Sequence, residues 1–387
     1  MKPLPFHIVT GFADLVDRAH DAAFDDHFPA NGSFVKMKRG AQSYWYHMAY
    51  DPKAPNKQKS RYAGPAGDPQ VDALVASHGK VHADHKARKA VASSMRQSGL
   101  PSPDGLEGEL ALAFQKAGLF QAGAVLVGSV AYQCYGGLLG VRMDGAYHRT
   151  QDKDLAQDRE IALHVAYGNQ RLDDFGAILK RVDPTFEPDF NPMRPQDGPT
   201  RYSNSAQYRV DLLTTHLRTD RDRSAPVIVP GLPGSASQPL DLMHYLIGQP
   251  VRSILLHDAG VAVKVPEPSR YAMHKIVISQ MRSLSSEGSK STKDLMQASE
   301  LIRSLQHARR SADMAAAWNA MFGEKPKWRK KLAAGALGID EDALGHIAAA
   351  VIRHGGEPFR DHENPAQILR SLLMNEKPVG QKNKKDG

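Results

Sequence analysis

The residues best suited to chemistry in this chain are three aspartates and a Gly-Ser pair. Asp152 and Asp154 flank Lys153 in the stretch TQDKDLA, and Asp211 sits in YRVDLLT. In a β-strand, residues i and i+2 point to one face. Asp152 and Asp154 are therefore expected to project together, with Lys153 turned away. Two carboxylates that close repel, and both stay ionised when a cation sits between them. A hard divalent ion suits them: Mg²⁺ takes oxygen ligands, usually one or two carboxylates plus substrate phosphates. Val210 and Leu212 are apolar and would face a core, which turns Asp211 to the opposite face of its strand. A third carboxylate on an adjacent strand would let two ions sit about 3.5–4 Å apart and clamp a phosphorus between attacking and leaving oxygens. Upstream, Gly128 and Ser129 end the apolar run AVLV. Glycine lets the backbone approach a phosphate closely. Ser129 and the first amides of a following helix can donate hydrogen bonds to it. Together these residues suit the transfer of a nucleotidyl group.

The elements that must position them read as a mixed α/β region over residues 104–268. EGELALAFQKAGL reads as a helix, GAVLVGS as a short buried strand ending in a turn, and VAYQCYGGLLG as a helix behind it. TQDKDLA and QYRVDLLT read as strands, separated by the Pro-rich loop DPTFEPDFNPMRPQDGP. APVIVPGLPG, VRSILLH and GVAVKVPEP supply further strand-like segments. From residue 269 to 376 apolar residues recur at three and four, which predicts a C-terminal helical domain, followed by a basic tail over 377–387. On the first of these helices Lys275 and Arg282 are seven apart and share a face. They suit either a triphosphate or solvent. Tyr271 suits either a base or a core.

Residues 1–66 read as a small unit: a helix over 10–24, then a hairpin made by SFVKMK and SYWYHMAY, with KSRYAG as a third strand. Lys36, Lys38, Arg39, Lys57, Lys59 and Arg61 interleave with Tyr44, Trp45, Tyr46 and Tyr62. Basic groups beside stackable rings can bind nucleic acid. The alternative is a hairpin whose rings pack on a neighbour and whose lysines are solvated. Residues 67–103 read as a helical linker, either one long helix or a helical hairpin. In it His82 and His85 are three apart, on a face more suited to water than to metal.

The 387 residues leave room for two or three domains. No stretch approaches the roughly 20 apolar residues of a membrane span, and the N-terminal segment carries acids and no cleavage pattern, so no signal peptide is expected. The single cysteine, Cys134, rules out an internal disulfide, fits a reducing cytoplasm, and on its apolar helix is expected to be buried and inert. A net charge of +8 favours a polyanionic partner.

The ordered set LVGS, RTQDKDLA and RVDLLT resembles the DNA polymerase β-type nucleotidyltransferases. Within that superfamily the chain is most similar to the GSU2403-type nucleotidyltransferase-fold family, through FPANGSFVK, YWY and RYAGP near the start and PSRYAMHKIVISQMR with KSTKDLMQA near the end. More distantly it resembles AbiEii-type toxins. The resemblance implies an α+β fold with a mixed-sheet core, a nucleotide held at Gly128 and Ser129, and metal ions at Asp152, Asp154 and Asp211. Through the AbiEii-like pattern it also implies nucleotide contacts from Arg149 and Lys275, with Lys293 and Asp294 a looser match. One departure stands out: the residue between the paired aspartates is usually apolar, and here it is Lys153. Either that strand lies at an edge, where a lysine reaches water, or the site is altered.

Two functions follow as expectations. The first is a Mg²⁺-dependent enzyme, with Mn²⁺ as a substitute, that moves a nucleoside monophosphate from a triphosphate to a hydroxyl. The acceptor is RNA such as a tRNA 3′ end, or a protein hydroxyl as in AMPylation. The toxin resemblance adds a defence role and an antitoxin partner. The second is a nucleic-acid-binding protein that keeps the fold without catalysis.

Overall fold

The computed structural model describes residues 1–25, 32–39, 42–51, 54–120, 122–143, 160–164, 173–190, 197–216, 225–228, 232–282, 288–361 and 363–375. The chain opens with β1 (Lys2–Pro3), α1 (Phe6–Asp25), the antiparallel meander β2 (Gly32–Arg39), β3 (Gln42–Asp51) and β4 (Ala54–Pro65), and α2 (Pro69–Gln97). The expected hairpin and its third strand are present, and the polar stretch that follows is one 29-residue helix.

Then come α3 (Gly105–Lys116), β5 (Val125–Val127), α4 (Gly128–Tyr132), α5 (Tyr135–Leu139), β6 (Val141–Arg142), β7 (Glu160–His164) and α6 (Phe175–Val182). They are followed by β8 (Glu187–Asp189), β9 (Arg201–Ser203), β10 (Arg209–Thr215), β11 (Val227–Ile228), β12 (Ala236–Leu240), α7 (Met243–Leu246), β13 (Val251–Leu255) and β14 (Val261–Val265). The remainder is helical: α8 (Pro268–Arg282), α9 (Gly288–His307), α10 (Ser311–Phe322), α11 (Pro326–Ala336), α12 (Glu341–His354) and α13 (Pro365–Asn375). The fold class is α+β, as expected.

Local sequence accounts for several of these boundaries. Asp104 accepts from the Glu107 amide, and the Glu107 carboxylate accepts from the Asp104 amide, a reciprocal cap that starts α3. Asp174 and Asp340 cap α6 and α12 through the amides of Ala177 and Ala343. The expected helix after β5 is two short helices, α4 and α5. In α5 a side chain at Gly137 would put its Cβ 2.2 Å from the Phe12 ring, so glycine is what lets α1 press against it.

The central sheet runs β11-β12-β10-β7-β5, with β8 and β9 off that path. Strand β10 lies parallel to β7 along one edge. Its other edge is shared: β9 pairs antiparallel with residues 209–211, and β12 pairs parallel with 213–215. Strand β5 closes the far side, antiparallel to β7. One face of β10 carries Val210 and Leu212, fully buried in the main hydrophobic core with Phe114 and Phe175, whose rings stack at 5.6 Å. That core continues into the C-terminal helices as far as Leu369. A second cluster joins α1 (Ile8, Phe12, Leu15) and Met95 of α2 to Ile254 and Ala262 of the β13–β14 hairpin. Among the described residues no helix is long and apolar enough to cross a membrane.

Candidate active site

Asp211 sits where strand alternation requires. Its neighbours Val210 and Leu212 are fully buried on one face of β10, and Asp211 is only partly covered on the other. The hydrogen-bonding register sets Val127 of β5 opposite Ala162, Ala162 opposite Asp211, and Asp211 opposite Arg201 of β9. This row brings the end of β5, and hence the Gly128 turn, to the level of Asp211.

Arg201 meets Asp211 as a fork. Its Nε donates to Oδ1 at 2.5 Å and its Nη2 to Oδ2 at 3.1 Å. Two parallel charge-assisted bonds are the strongest way a guanidinium holds a carboxylate. The arginine side chain is 43% exposed and the aspartate's 14%, so the arginine forms the outer half of the pair.

Gly128 has φ +73°, a conformation that L side chains rarely adopt, and a Cβ built there would meet nothing within 4 Å. The turn therefore needs glycine for its backbone, and the space beside it is open. Its carbonyl is fixed from the other side by the Tyr271 hydroxyl, which donates to Gly128 O at 3.0 Å. Ser129, the second residue of the short helix α4, is half-buried and is not among the residues lining the cavity described below.

Helix α8 forms the opposing wall. Pro268 opens it, where a missing amide costs nothing, and the Glu267 carboxylate accepts from the Arg270 amide at 2.9 Å. Tyr271, His274, Lys275, Ile278 and Arg282 recur at three and four and turn toward the sheet. A cavity of about 600 Å³ lies between them and the strands. Gly128, Arg201, Asp211 and Leu213 line it on the sheet side, with Met243 and Leu246 of α7 at its edge.

Lys275 Nζ donates to Asp294 Oδ1 of α9 at 2.6 Å, and Arg282 Nη1 lies 3.1 Å from Oδ2 without hydrogen-bond geometry. Asp294 is 1% exposed, so two cations surround one buried carboxylate and the cluster keeps one net positive charge. Burial pushes the Lys275 pKa down, but Tyr271 and Asp294 beside it more than reverse this, and it stands above the usual lysine value. His274 behaves oppositely. Burial first, then Lys275 and Arg282, push its pKa down to about 3, so its ring is neutral at ordinary pH.

Of the site residues expected from sequence, Gly128, Asp211 and Lys275 line one cavity. Arg149, Asp152 and Asp154, with Lys153, lie outside the described residues. Asp211 supplies hard oxygen donors of the kind Mg²⁺ takes, beside a glycine turn with room for a phosphate. Both Asp211 oxygens accept from Arg201, and among the described residues no group of three or more His, Cys, Asp or Glu side chains could hold a metal ion, so a divalent-ion site would need Asp152 and Asp154 as well. Arg201 and His274 were not legible as site residues. Nothing in RYSNSAQYRVDLL announces that β9 folds back on β10, whereas His274, three residues from Tyr271, shares the helical spacing that drew attention to its neighbours.

Elsewhere, Lys36 and Lys38 are exposed on β2, and the Lys36 ammonium lies 5.8 Å from the centroid of the Trp45 ring on the facing strand. The Trp45 indole is tied to α2 through Asp72 at 2.8 Å. His85 meets Asp258 at 3.0 Å, an ordinary tie between α2 and the turn after β13. Cys134 is buried, and burial pushes its thiol up to about 12.

Comparison with known protein families gives one match: a family described as Nucleotidyltransferase, over residues 106–323. No curated protein and no solved structure matches the chain.

Proposed function

The chain belongs to the nucleotidyltransferase family and is a transferase of the EC 2.7.7 type; from this we propose that it moves a nucleoside monophosphate from a triphosphate to a hydroxyl on RNA, using Mg²⁺. The observation that supports this reading is the convergence of Gly128, Asp211 and Lys275, from three distant stretches of chain, on one cavity of nucleotide size. In this reading the triphosphate lies against the open side of the Gly128 turn, and Lys275 and Arg282 hold its charge from the α8 wall. Asp211, with Asp152 and Asp154, would hold the divalent ion, and Arg149 and Ser129 would add contacts to the nucleotide. The ion, when bound, supplies charge stabilisation of the transferring phosphorus. Asp211 is also placed to accept a proton from the incoming hydroxyl. The division into residues 1–66, 67–103, 104–268, 269–376 and 377–387 belongs to the same proposal, with the basic N-terminal meander as the RNA-facing part. The AbiEii-like resemblance adds a defence role with an antitoxin partner, and a protein hydroxyl, as in AMPylation, is the alternative acceptor.

The forked Arg201–Asp211 pair favours a second reading: a nucleic-acid-binding protein whose site charge is met by an arginine instead of a metal ion. Incubation with each labelled triphosphate, Mg²⁺, and either total RNA or cell lysate separates these readings. Label in the RNA fraction supports the first, label in protein supports AMPylation, and no label in any fraction favours the second.

A further inference from the structure

The cavity is not uniform, and helix α8 divides it. Arg270 lies one turn before His274 on the same stripe of the helix. Arg270 donates to the Tyr245 carbonyl of α7 at 2.9 Å and its guanidinium stacks 5.0 Å from the Tyr245 ring. That stripe therefore faces α7, which contributes Met243 and Leu246 to the cavity. Lys275 and Arg282 lie on a different stripe, turned toward Asp294 of α9. The sheet repeats the division. Leu213 is two residues beyond Asp211 on the same face of β10, about 7 Å further along, and Leu240 of β12 is paired with Thr215 at that end. One end of the cavity thus carries Gly128, Asp211 and Arg201, with Lys275 and Arg282 on the helix wall between the two ends. The other carries leucines, a methionine, the Gln238 amide opposite Leu213 and the His274 ring.

At the apolar end His274 has hydrogen-bonding capacity that no described neighbour uses: neither ring nitrogen meets a partner among the described residues. Arg201, Asp211, Tyr271 and Lys275 by contrast are each bonded to a protein group. The ring lies beside two cations and in partly dry surroundings, which keeps it neutral. A neutral imidazole offers one N–H and one lone pair and no charge. It is poorly suited to phosphate and well suited to the edge of a heterocycle.

We infer that His274 reads the nucleobase of the bound triphosphate, with the leucine and methionine side chains of the apolar end covering the base and the Gly128 end taking the phosphates. This rests on the cavity being the triphosphate site. Where a buried site is built to hydrogen-bond a substrate, a ligand that leaves the site's group unpaired is rejected strongly, so discrimination among bases should depend on the ring nitrogens of His274.

The test is calorimetric titration of the full chain, with Mg²⁺ present, using non-hydrolysable analogues of the four nucleoside triphosphates and inorganic tripolyphosphate as a probe without a base. Wild type is expected to favour one of the four by tenfold or more. His274→Phe, which keeps a ring and removes both nitrogens, should weaken that analogue about tenfold and leave tripolyphosphate unchanged. His274→Asn, smaller and polar, should reorder the four analogues, and serves if the phenylalanine variant does not fold. Equal loss for tripolyphosphate would make His274 a phosphate ligand and overturn the inference. Equal affinity of wild type for all four, or no change in either variant, would overturn it as well. Failure of wild type to bind any of the five probes would instead overturn the triphosphate reading of the cavity.

Discussion

At the scale of single residues, what matters is how each side chain is committed before any substrate arrives. Asp211 is committed to Arg201, so replacing it with asparagine removes a carboxylate charge at the cavity and half of an ion pair at once. The pair is partly exposed, and its loss should cost stability by only about 1 kcal/mol. Nucleotide transfer by Asp211→Asn should fall by at least about a hundredfold. A labelled-triphosphate assay beside a urea melt checks both, and comparable turnover would remove Asp211 from the site. Gly128→Ala should behave similarly. The left-handed backbone costs an alanine about 1 kcal/mol, and its methyl group would enter the open space beside the turn. Triphosphate affinity should drop while the melting temperature moves by a few degrees. His274 supplies a pH prediction. Its folded pKa, near 3, lies below the unfolded value of 6.5. As pH falls below 6.5 the unfolded chain takes up a proton that the folded chain refuses, so stability is intact above that pH and is lost on the way to pH 3. The slope approaches about 1.4 kcal/mol per pH unit for one such site. His20, also lowered chiefly by burial, adds a loss of the same sign. Denaturant titrations at pH 7, 6 and 5 should show a smaller decline for His274→Phe than for wild type.

At the scale of elements, the α8–α9 contact holds the cationic wall of the cavity. Asp294, almost wholly buried, lies between Lys275 and Arg282 and is ion-paired with both. Removing one partner of such a buried cluster leaves uncompensated charge and typically costs several kcal/mol. Asp294→Ala should therefore destabilise the protein by about 3 kcal/mol in a urea titration. A change under half a kilocalorie would mean that water already compensates the two cations. A second contact, between α8 and α11, depends on absence of bulk. A Cβ at Gly335 would lie 2.3 Å from the Ile276 carbonyl oxygen, which is backbone and cannot swing aside. The alanine variant must part the two helices.

At the scale of the whole molecule, the basic balance and the N-terminal meander bear on the acceptor. Lys36 and Lys38 stand exposed on β2, remote in sequence from the cavity residues. If RNA is the acceptor, binding should release counterions, and affinity should fall steeply with salt. Replacing Lys36, Lys38 and Arg39 with alanine should weaken RNA binding and flatten the salt slope, leaving triphosphate affinity at the cavity unchanged. Identical slopes for the two proteins would detach the meander from nucleic acid. Absence of RNA binding at low salt would move the acceptor to protein.

What the sequence determined by itself is what depends on near neighbours in the chain. The period-2 pattern of YRVDLLT put Val210 and Leu212 on one face and Asp211 on the other, because the pleat leaves no other arrangement. The three-and-four recurrence in SRYAMHKIVISQMR defined α8 and one face containing Tyr271, Lys275 and Arg282. The apolar run ending at Gly128 marked a strand and a turn, since glycine adopts the positive-φ backbone found there without strain. What only the tertiary structure decided are the partnerships between distant segments. Strand β9 folds back so that Arg201 grips Asp211, α9 brings Asp294 under Lys275, and α7 makes one end of the cavity apolar around His274. Those pairings arise when the chain buries its apolar faces together, and no local pattern carries them, because a charge on a strand or helix looks the same whether its partner is water or a residue folded in from elsewhere.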